Sequence, residues 1–309
     1  MRRGSNLSHS PERYKVSKNS ALAIRSNSNM FPREQRVGGM RDWKFQKKHG
    51  INFMEAGSGP LIVMCHGGAG SHTHWIRNID ALAQRFTVRA LDLPGYGDSD
   101  PTNKEYTAAE YIAAMVPKMD ALTADVDRFH LVGFSFGGAL AAGIAAELGD
   151  RVEKLTLVAP GGFGKPVGRT LDMRRLPKGG LEMPEVRETL RHNLLQMMIN
   201  DEVNIEEDTL SLQLANSRRT GFNSAKLSLS DLTPNNIKKA TAKVQLIWGD
   251  ADKLAHPSPQ DRAALLREVK PEIQAHFIRG GGHWVAYECP NEVNALVIKF
   301  HSSCDTLTH

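Results

Sequence analysis

The sequence predicts an α/β fold whose sheet is mainly parallel and carries helices on both faces. Short apolar runs alternate with amphipathic helical patterns at regular intervals from about residue 43 onward. Several runs, such as Leu61–Cys65, are continuously apolar, which is typical of strands buried on both faces of a parallel sheet. Glycine-rich turns directly follow these runs, so we expect functional groups at the carboxyl ends of the strands.

Length and composition suit one globular α/β core with an inserted subdomain, since the chain has 309 residues, 40% of them hydrophobic. No apolar stretch approaches the roughly 20 residues that cross a bilayer. The three cysteines (Cys65, Cys289 and Cys304) are too few and too scattered for a disulfide framework or a zinc site. We therefore expect a soluble cytoplasmic protein that acts on a small molecule, with no metal, cofactor, nucleic-acid or membrane partner. Whether it forms a homodimer is left open.

The first 48 residues are strongly basic, with twelve Lys or Arg against three acidic residues, and the remainder of the chain is net acidic. Such a segment could tether the protein to nucleic acid or a membrane, or direct it to an organelle. Its composition offers almost no periodic apolar face to bury, which favours a disordered extension. We interpret residues 1–42 as a disordered basic leader.

The first elements of the core follow this leader. Trp43–Lys47 and Ile51–Ala56 flank a His-Gly pair that suits a hairpin turn. Thr107 and Glu110 have the spacing of a capping box, which predicts the start of an amphipathic helix. The other elements predicted before residue 160 are a helix over Thr73–Gln84 and the strands Leu61–Cys65, Phe86–Leu91, Phe129–Val132 and Lys154–Ala159.

Residues 161–236 interrupt the alternation of strands and helices. They show helical patterns around Pro184–Asn200 and Glu206–Asn216 but no convincing strand. Beyond residue 237 the pattern returns, with strands at Val244–Trp248 and Gln274–Ile278 and helices over Ser258–Val269 and from Pro290. We therefore predict a core, residues 43–160 and 237–309, and a helical cap over its site, residues 161–236, here called the cap segment.

The strongest functional signal is Gly133-Phe134-Ser135-Phe136-Gly137, a Gly-x-Ser-x-Gly pattern between an apolar run and an alanine-rich segment. This context predicts a strand, a sharp turn and a helix, the arrangement called a nucleophile elbow. The turn lifts the Ser135 hydroxyl to the end of the sheet, above a helix N-terminus that favours negative charge. Ser135 is therefore the candidate nucleophile, and the Phe136 N–H is the first candidate donor to an oxyanion.

A second glycine-rich turn, His66-Gly67-Gly68-Ala69-Gly70, follows the apolar run Leu61–Cys65. Glycines after a central strand leave backbone N–H groups accessible to a ligand, so the Gly68 N–H is the second candidate oxyanion donor. A serine nucleophile also needs a base and a carboxylate that orients the base. His283 follows a late strand and a run of glycines, and Asp250 and Asp252 both follow the strand before it.

From about Phe53 to Phe300 the chain resembles enzymes of the α/β-hydrolase fold, and it is most similar to meta-cleavage-product hydrolases, which cleave carbon–carbon bonds of ring-opened aromatic compounds. The motifs that carry this resemblance are Leu131–Gly138, Leu157–Gly162, Leu246–Asp252 and Gly282–Glu288. The order Ser, Asp, His matches the fold's triad order. The family's acid stands four residues after the tryptophan of a Trp-Gly motif, which selects Asp252 over Asp250.

The resemblance also implies substrate-binding positions, and two of them depart from the family's pattern. Phe134 precedes the nucleophile where the family has asparagine, and Gln213 stands where a cap arginine of the family pairs with the substrate carboxylate. Trp284, next to His283, is the third position. Arg169, Arg174, Arg175 or Arg218 could supply the missing cation from elsewhere in the cap segment.

These observations predict a serine hydrolase that cleaves a small, largely apolar carboxylic ester through Ser135, His283 and Asp252. Two alternatives remain open. One is a carbon–carbon bond hydrolase of ring-fission products, and the other is a ligand receptor that retains the triad. A serine at the nucleophile position argues against dehalogenases and epoxide hydrolases, whose nucleophile is aspartate.

Overall fold

The computed structural model describes residues 43–166 and 171–303. Its centre is an eight-stranded sheet with the order β1-β2-β4-β3-β5-β6-β7-β8. The strands are β1 (Lys44–Lys48), β2 (Ile51–Ala56), β3 (Leu61–Cys65), β4 (Thr87–Leu91), β5 (Phe129–Phe134), β6 (Val152–Val158), β7 (Lys243–Gly249) and β8 (Gln274–Ile278). The expected disordered leader (residues 1–42), Arg169 and Cys304 lie outside the described residues.

The predicted mainly parallel sheet with helices is confirmed. Strands β3 to β8 are parallel to one another, and β2 runs antiparallel to its two neighbours, β1 and β4. The helices are α1 (Ile79–Leu82), α2 (Ala108–Leu122), α3 (Phe136–Leu148), α4 (Pro184–Met197), α5 (Glu207–Arg218), α6 (Ala225–Ser228), α7 (Leu232–Lys239), α8 (Pro259–Val269), α9 (Val285–Glu288) and α10 (Pro290–Ser302).

The pattern of burial explains why the central elements form. Every residue of β3 and β5 is buried, as expected for central strands covered on both faces. Helix α2 is amphipathic and starts at the predicted capping box, in which the Thr107 hydroxyl and the Glu110 carboxylate bond each other's backbone N–H groups. Helix α3 is buried on all sides from Phe136 to Ala145, because it lies against the sheet and under α2 and α7.

The prediction of a single helix over residues 73–84 is wrong. The segment instead forms a 3-10 turn, His72–Trp75, and the short helix α1. Asn78 separates the two, and its side-chain amide donates to the Ala286 carbonyl at 3.0 Å and to Asn294 Oδ1 at 2.9 Å. These contacts with residues more than 200 positions away outweigh the local preference for a continuous helix.

The cap segment joins β6 to β7 and contains helices but no strand among its described residues. Its end at residue 236 falls inside α7, which packs against the core helices α3 and α8. Tyr96 of the core pairs with Thr220 of the cap segment through an isolated β-bridge. None of the described helices has the length and apolar character that a bilayer-spanning segment requires.

Candidate active site

Ser135 occupies a strained turn between β5 and α3, with φ of +52°. Its N–H donates to the Val158 carbonyl at 3.0 Å, which ties the turn to the end of β6. The flanking glycines let the helix lie directly on the strand, because a Cβ at Gly133 would stand 2.7 Å from Cβ of Ala141. The turn leaves the Ser135 side chain at the carboxyl end of the sheet, partly accessible to solvent.

The structure brings Ser135, His283 and Asp252 together in one hydrogen-bonded chain. His283 Nε2 lies 2.8 Å from Ser135 Oγ, and His283 Nδ1 lies 2.9 Å from Asp252 Oδ2. His283 and Asp252 are both buried, so water competes little for the contact between them. The arrangement allows the imidazole to accept the serine proton while its other nitrogen donates to the carboxylate.

The environment of Asp252 keeps it ionised. Burial raises the pKa of its carboxyl, but three interactions lower it by more. They are the electrostatic attraction to His283, the hydrogen bond from His283 and the hydrogen bond from the Leu254 N–H at 2.7 Å. The pKa of Asp252 is therefore held below its ordinary value. An ionised carboxylate at Nδ1 orients the imidazole and stabilises the imidazolium that forms when His283 takes up a proton.

Asp250, the other candidate acid, lies on the same turn but binds a different partner. Its side chain is exposed, and its Oδ1 accepts a hydrogen bond from the Gly280 N–H at 2.7 Å. This bond links the turns after β7 and β8. Asp250 therefore bridges the two loops, whereas Asp252 contacts the imidazole.

The two candidate oxyanion donors lie on neighbouring turns at the ends of β3 and β5. Within the described residues, neither the Phe136 N–H nor the Gly68 N–H has a hydrogen-bond partner. The absence of a side chain at Gly68 is required, because a Cβ there would lie 2.9 Å from Cβ of Ser224 in the cap segment. Two unpaired backbone donors on these neighbouring turns, one of which carries Ser135, are of the kind that stabilises an oxyanion.

His66 shapes the turn that carries Gly68. Its Nε2 accepts a hydrogen bond from the Leu93 N–H at 3.0 Å, so the proton resides on Nδ1, which donates to the Gly67 carbonyl at 2.6 Å. Complete burial lowers the pKa of His66 to about 4, although the Gly67 hydrogen bond opposes this shift. His66 is therefore a neutral structural group beside the site.

The predicted substrate-binding residues lie near the triad but differ in their surroundings. The Phe134 ring is buried 5.1 Å from the His283 imidazole, centroid to centroid. The indole of Trp284 is fully buried, and its Nε1–H donates to the His74 carbonyl at 2.9 Å. Gln213 extends from α5 toward the glycine turn, where its Nε2 lies 3.4 Å from the Ala69 carbonyl oxygen.

His74 was not predicted from the sequence, although it lies within this shell. It is wholly buried, and its Nδ1 accepts a hydrogen bond from the Gly67 N–H at 3.3 Å. Burial and the neighbouring His66 and His283 hold the pKa of His74 well below its ordinary value, so the ring is neutral. The only signal in the sequence was its place eight residues after His66, near the end of the glycine turn.

The cap arginines considered as substitutes for a substrate-binding cation are engaged or exposed. Arg174 is paired with Glu188 at 3.1 Å, and Arg218 donates to the Gly179 carbonyl at 2.9 Å. Arg175 is exposed. Within residues 43–166 and 171–303, no group of three or more His, Cys, Asp or Glu side chains is placed to hold a metal ion.

Comparison with known proteins identifies the family. A family model described as the alpha/beta hydrolase family matches residues 62–296. The chain is 30% identical over 270 residues to the 2-hydroxy-6-oxo-6-phenylhexa-2,4-dienoate hydrolase of Comamonas testosteroni, a match that covers 81% of this chain and 90% of the relative. The predicted similarity to meta-cleavage-product hydrolases is thereby confirmed.

Solved structures of hydrolases are also similar to this chain. The meta-cleavage product hydrolase of Pseudomonas fluorescens IP01 is similar with a TM-score of 0.63 and 25% identity, over 81% of this chain and 93% of that one. The naproxen esterase of Bacillus subtilis has a TM-score of 0.67 at 18% identity, over 85% and 92%, and shares the fold. Because the family model matches most of its length, this chain belongs to the alpha/beta hydrolase family and is a hydrolase.

Proposed function

We propose that the chain is a serine hydrolase that cleaves small, largely apolar carboxylic esters, with Ser135, His283 and Asp252 as its catalytic triad. The observation that carries this proposal is the continuous path from Ser135 Oγ through the His283 imidazole to Asp252, with contacts of 2.8 and 2.9 Å. All three groups lie at the carboxyl ends of parallel strands, where this class of fold places its chemistry.

The geometry supports acyl transfer in two steps. His283 Nε2 removes the Ser135 proton as Oγ attacks the ester carbonyl, and in this proposal the N–H groups of Gly68 and Phe136 donate to the oxygen that becomes negative. When the bond from carbon to the alcohol oxygen breaks, His283 returns the proton to the departing alcohol. Water then attacks the acyl-enzyme by the same route and releases the acid together with free Ser135.

The surroundings of the triad favour uncharged substrates. The rings of Phe134 and Trp284 and the neutral imidazole of His74 lie around His283, and none of them carries a charge. Gln213 can donate to an oxygen but cannot neutralise a carboxylate in a poorly hydrated site. We propose that the cap segment covers this site and excludes water from it.

A carbon–carbon bond hydrolase is the second candidate. It is favoured by the 30% identity to a relative named as a dienoate hydrolase. The same three residues would serve that reaction, so the two candidates differ in the substrate they accept. The carboxylate of a dienoate ring-fission product calls for a fixed cation, whereas Arg174 and Arg218 of the cap segment are bound to other groups and Arg175 is exposed.

The proposal is tested in two stages. A fluorophosphonate should label Ser135 alone, and Ser135→Ala should abolish labelling and ester turnover without loss of folding. The kcat/KM for a short-chain aryl ester is then compared with that for a 2-hydroxy-6-oxo-dienoate on one preparation. A preference for the dienoate by about tenfold or more would refute the ester proposal in favour of the second candidate.

A further inference from the structure

A carboxylate outside the triad binds the loop that carries His283. Glu288 is the last residue of α9, five residues after His283, and it is partly buried. Its Oε2 accepts a hydrogen bond from the Gly282 N–H at 2.8 Å. Since Gly282 directly precedes His283, this bond fixes the backbone from which the imidazole extends.

The same carboxylate also binds the cap segment. Glu288 Oε1 accepts hydrogen bonds from the N–H groups of Asn200 at 2.9 Å and Asp201 at 3.1 Å. These residues follow α4. One side chain therefore joins two segments that are more than 80 positions apart, and both of its oxygens are used.

Neighbouring contacts show that this junction is tightly built. The Trp284 N–H donates to the Met198 carbonyl at 2.7 Å, and Asn200 Nδ2 donates to the Gly280 carbonyl at 3.1 Å. Lys253, next to Asp252, donates from Nζ to the Leu195 carbonyl at 2.8 Å. Both triad loops are thus held against the end of α4.

The packing leaves no space for a shifted loop. A Cβ at Gly282 would lie 2.6 Å from Glu288 Oε2 and 2.7 Å from the Asn200 nitrogen. Movement of the His283 loop therefore requires movement of either Glu288 or the chain after α4. A displacement of about 1 Å in a catalytic group can cost on the order of a hundredfold in rate.

We propose that Glu288 is a positioning residue that sets the distance between His283 and Ser135 by clamping the histidine loop to the end of α4. Glu288 touches neither substrate nor reacting atoms and acts through His283 alone. The proposal rests on the proposed function, because it assigns Glu288 a part in the same triad. It adds that the cap segment supports the catalytic base, besides any part it has in covering the site.

The test uses the full-length chain and two variants of Glu288. Glu288→Gln keeps the shape and one acceptor oxygen but places an NH₂ group against one of the bonded N–H groups. Glu288→Ala removes all three bonds. Glu292→Gln is the matched control, because it removes the same charge from an exposed position on α10.

The measured quantities are kcat and KM for an aryl ester and the rate of Ser135 labelling by a fluorophosphonate. We expect kcat and the labelling rate to fall about ten- to a hundredfold in Glu288→Gln and further in Glu288→Ala, with KM within about twofold of wild type. The Glu292→Gln control should match wild type in all three. A role confined to stability would lower the thermal midpoint and leave kcat and labelling unchanged.

Several results would overturn the proposed clamp at Glu288. Wild-type labelling and turnover in folded Glu288→Gln would overturn the clamp, as would a loss confined to KM. If wild type is labelled but hydrolyses no ester, the substrate proposal fails and labelling still tests Glu288. If neither variant folds, hydrogen exchange on wild type decides, and unprotected amides at Gly282, Asn200 and Asp201 would overturn the clamp.

Discussion

Replacement of Asp252 by asparagine tests which acid serves the triad. The Asp252 carboxylate accepts from His283 Nδ1 at 2.9 Å and from the Leu254 N–H at 2.7 Å. An asparagine has one acceptor oxygen, so its NH₂ group must face one of these partners. Facing the Leu254 N–H would set two donors against each other in a buried site, at a cost of about 1–3 kcal/mol.

The amide therefore turns its oxygen to Leu254 and its NH₂ group to His283. Nδ1 must then accept, which moves the imidazole proton to Nε2, the atom that has to take the Ser135 proton. Loss of the productive tautomer in serine hydrolases costs about 10⁴ in kcat, which corresponds to about 5 kcal/mol of activation free energy. We expect a loss of this size in Asp252→Asn.

Asp250→Asn is the matched control, because it makes the same chemical change two residues away. Asparagine retains an oxygen for the Gly280 N–H, and the side chain is exposed, so we expect turnover within about threefold of wild type. The assay is kcat for an aryl ester at pH 7.5, with circular dichroism to verify folding. A larger loss in Asp250→Asn than in Asp252→Asn would refute the assignment of the acid.

Two further predictions concern the histidines and the glycine turn. Burial lowers the pKa of His66 to about 4 in the folded protein, and the residue regains its ordinary value of 6.5 on unfolding. Because the unfolded chain binds this proton more readily, the folded state keeps its full stability above pH 6.5 and loses stability as the pH falls toward 4. The free energy of unfolding, measured by urea denaturation, should therefore drop by about 2 kcal/mol from this group between pH 7.5 and 5, and a value independent of pH would contradict the assignment. In Gly68→Ala the new Cβ meets Ser224, so kcat/KM for an aryl ester should fall about tenfold or more. The double variant Gly68→Ala/Ser224→Gly should recover part of that loss, and no recovery would place the damage elsewhere.

The local features of this protein were readable from the sequence because short-range patterns determine them. The run Leu61–Cys65 is apolar on both faces of a strand, so it is removed from water only in a sheet that is covered on both sides. It forms β3, with all five residues buried. The glycines around Ser135 predicted a tight strand-to-helix turn, and the structure has it with Ser135 at φ of +52°. The strand patterns that precede Ser135, Asp252 and His283 likewise predicted that each candidate lies at a strand end.

Choices between alternatives that look alike in sequence depended on the tertiary structure. The family's spacing selected Asp252 over Asp250, but only the fold shows that Asp250 binds Gly280 and that Asp252 binds His283. The helix expected over residues 73–84 is broken because Asn78 bonds to residues far along the chain.

The clamp at Glu288 is of the same kind, since two of its three donors, Asn200 and Asp201, lie more than 80 residues away. Propensities and motifs describe what a segment can do with its neighbours in sequence. A hydrogen bond between distant segments exists only after the chain has folded, so no local pattern encodes it.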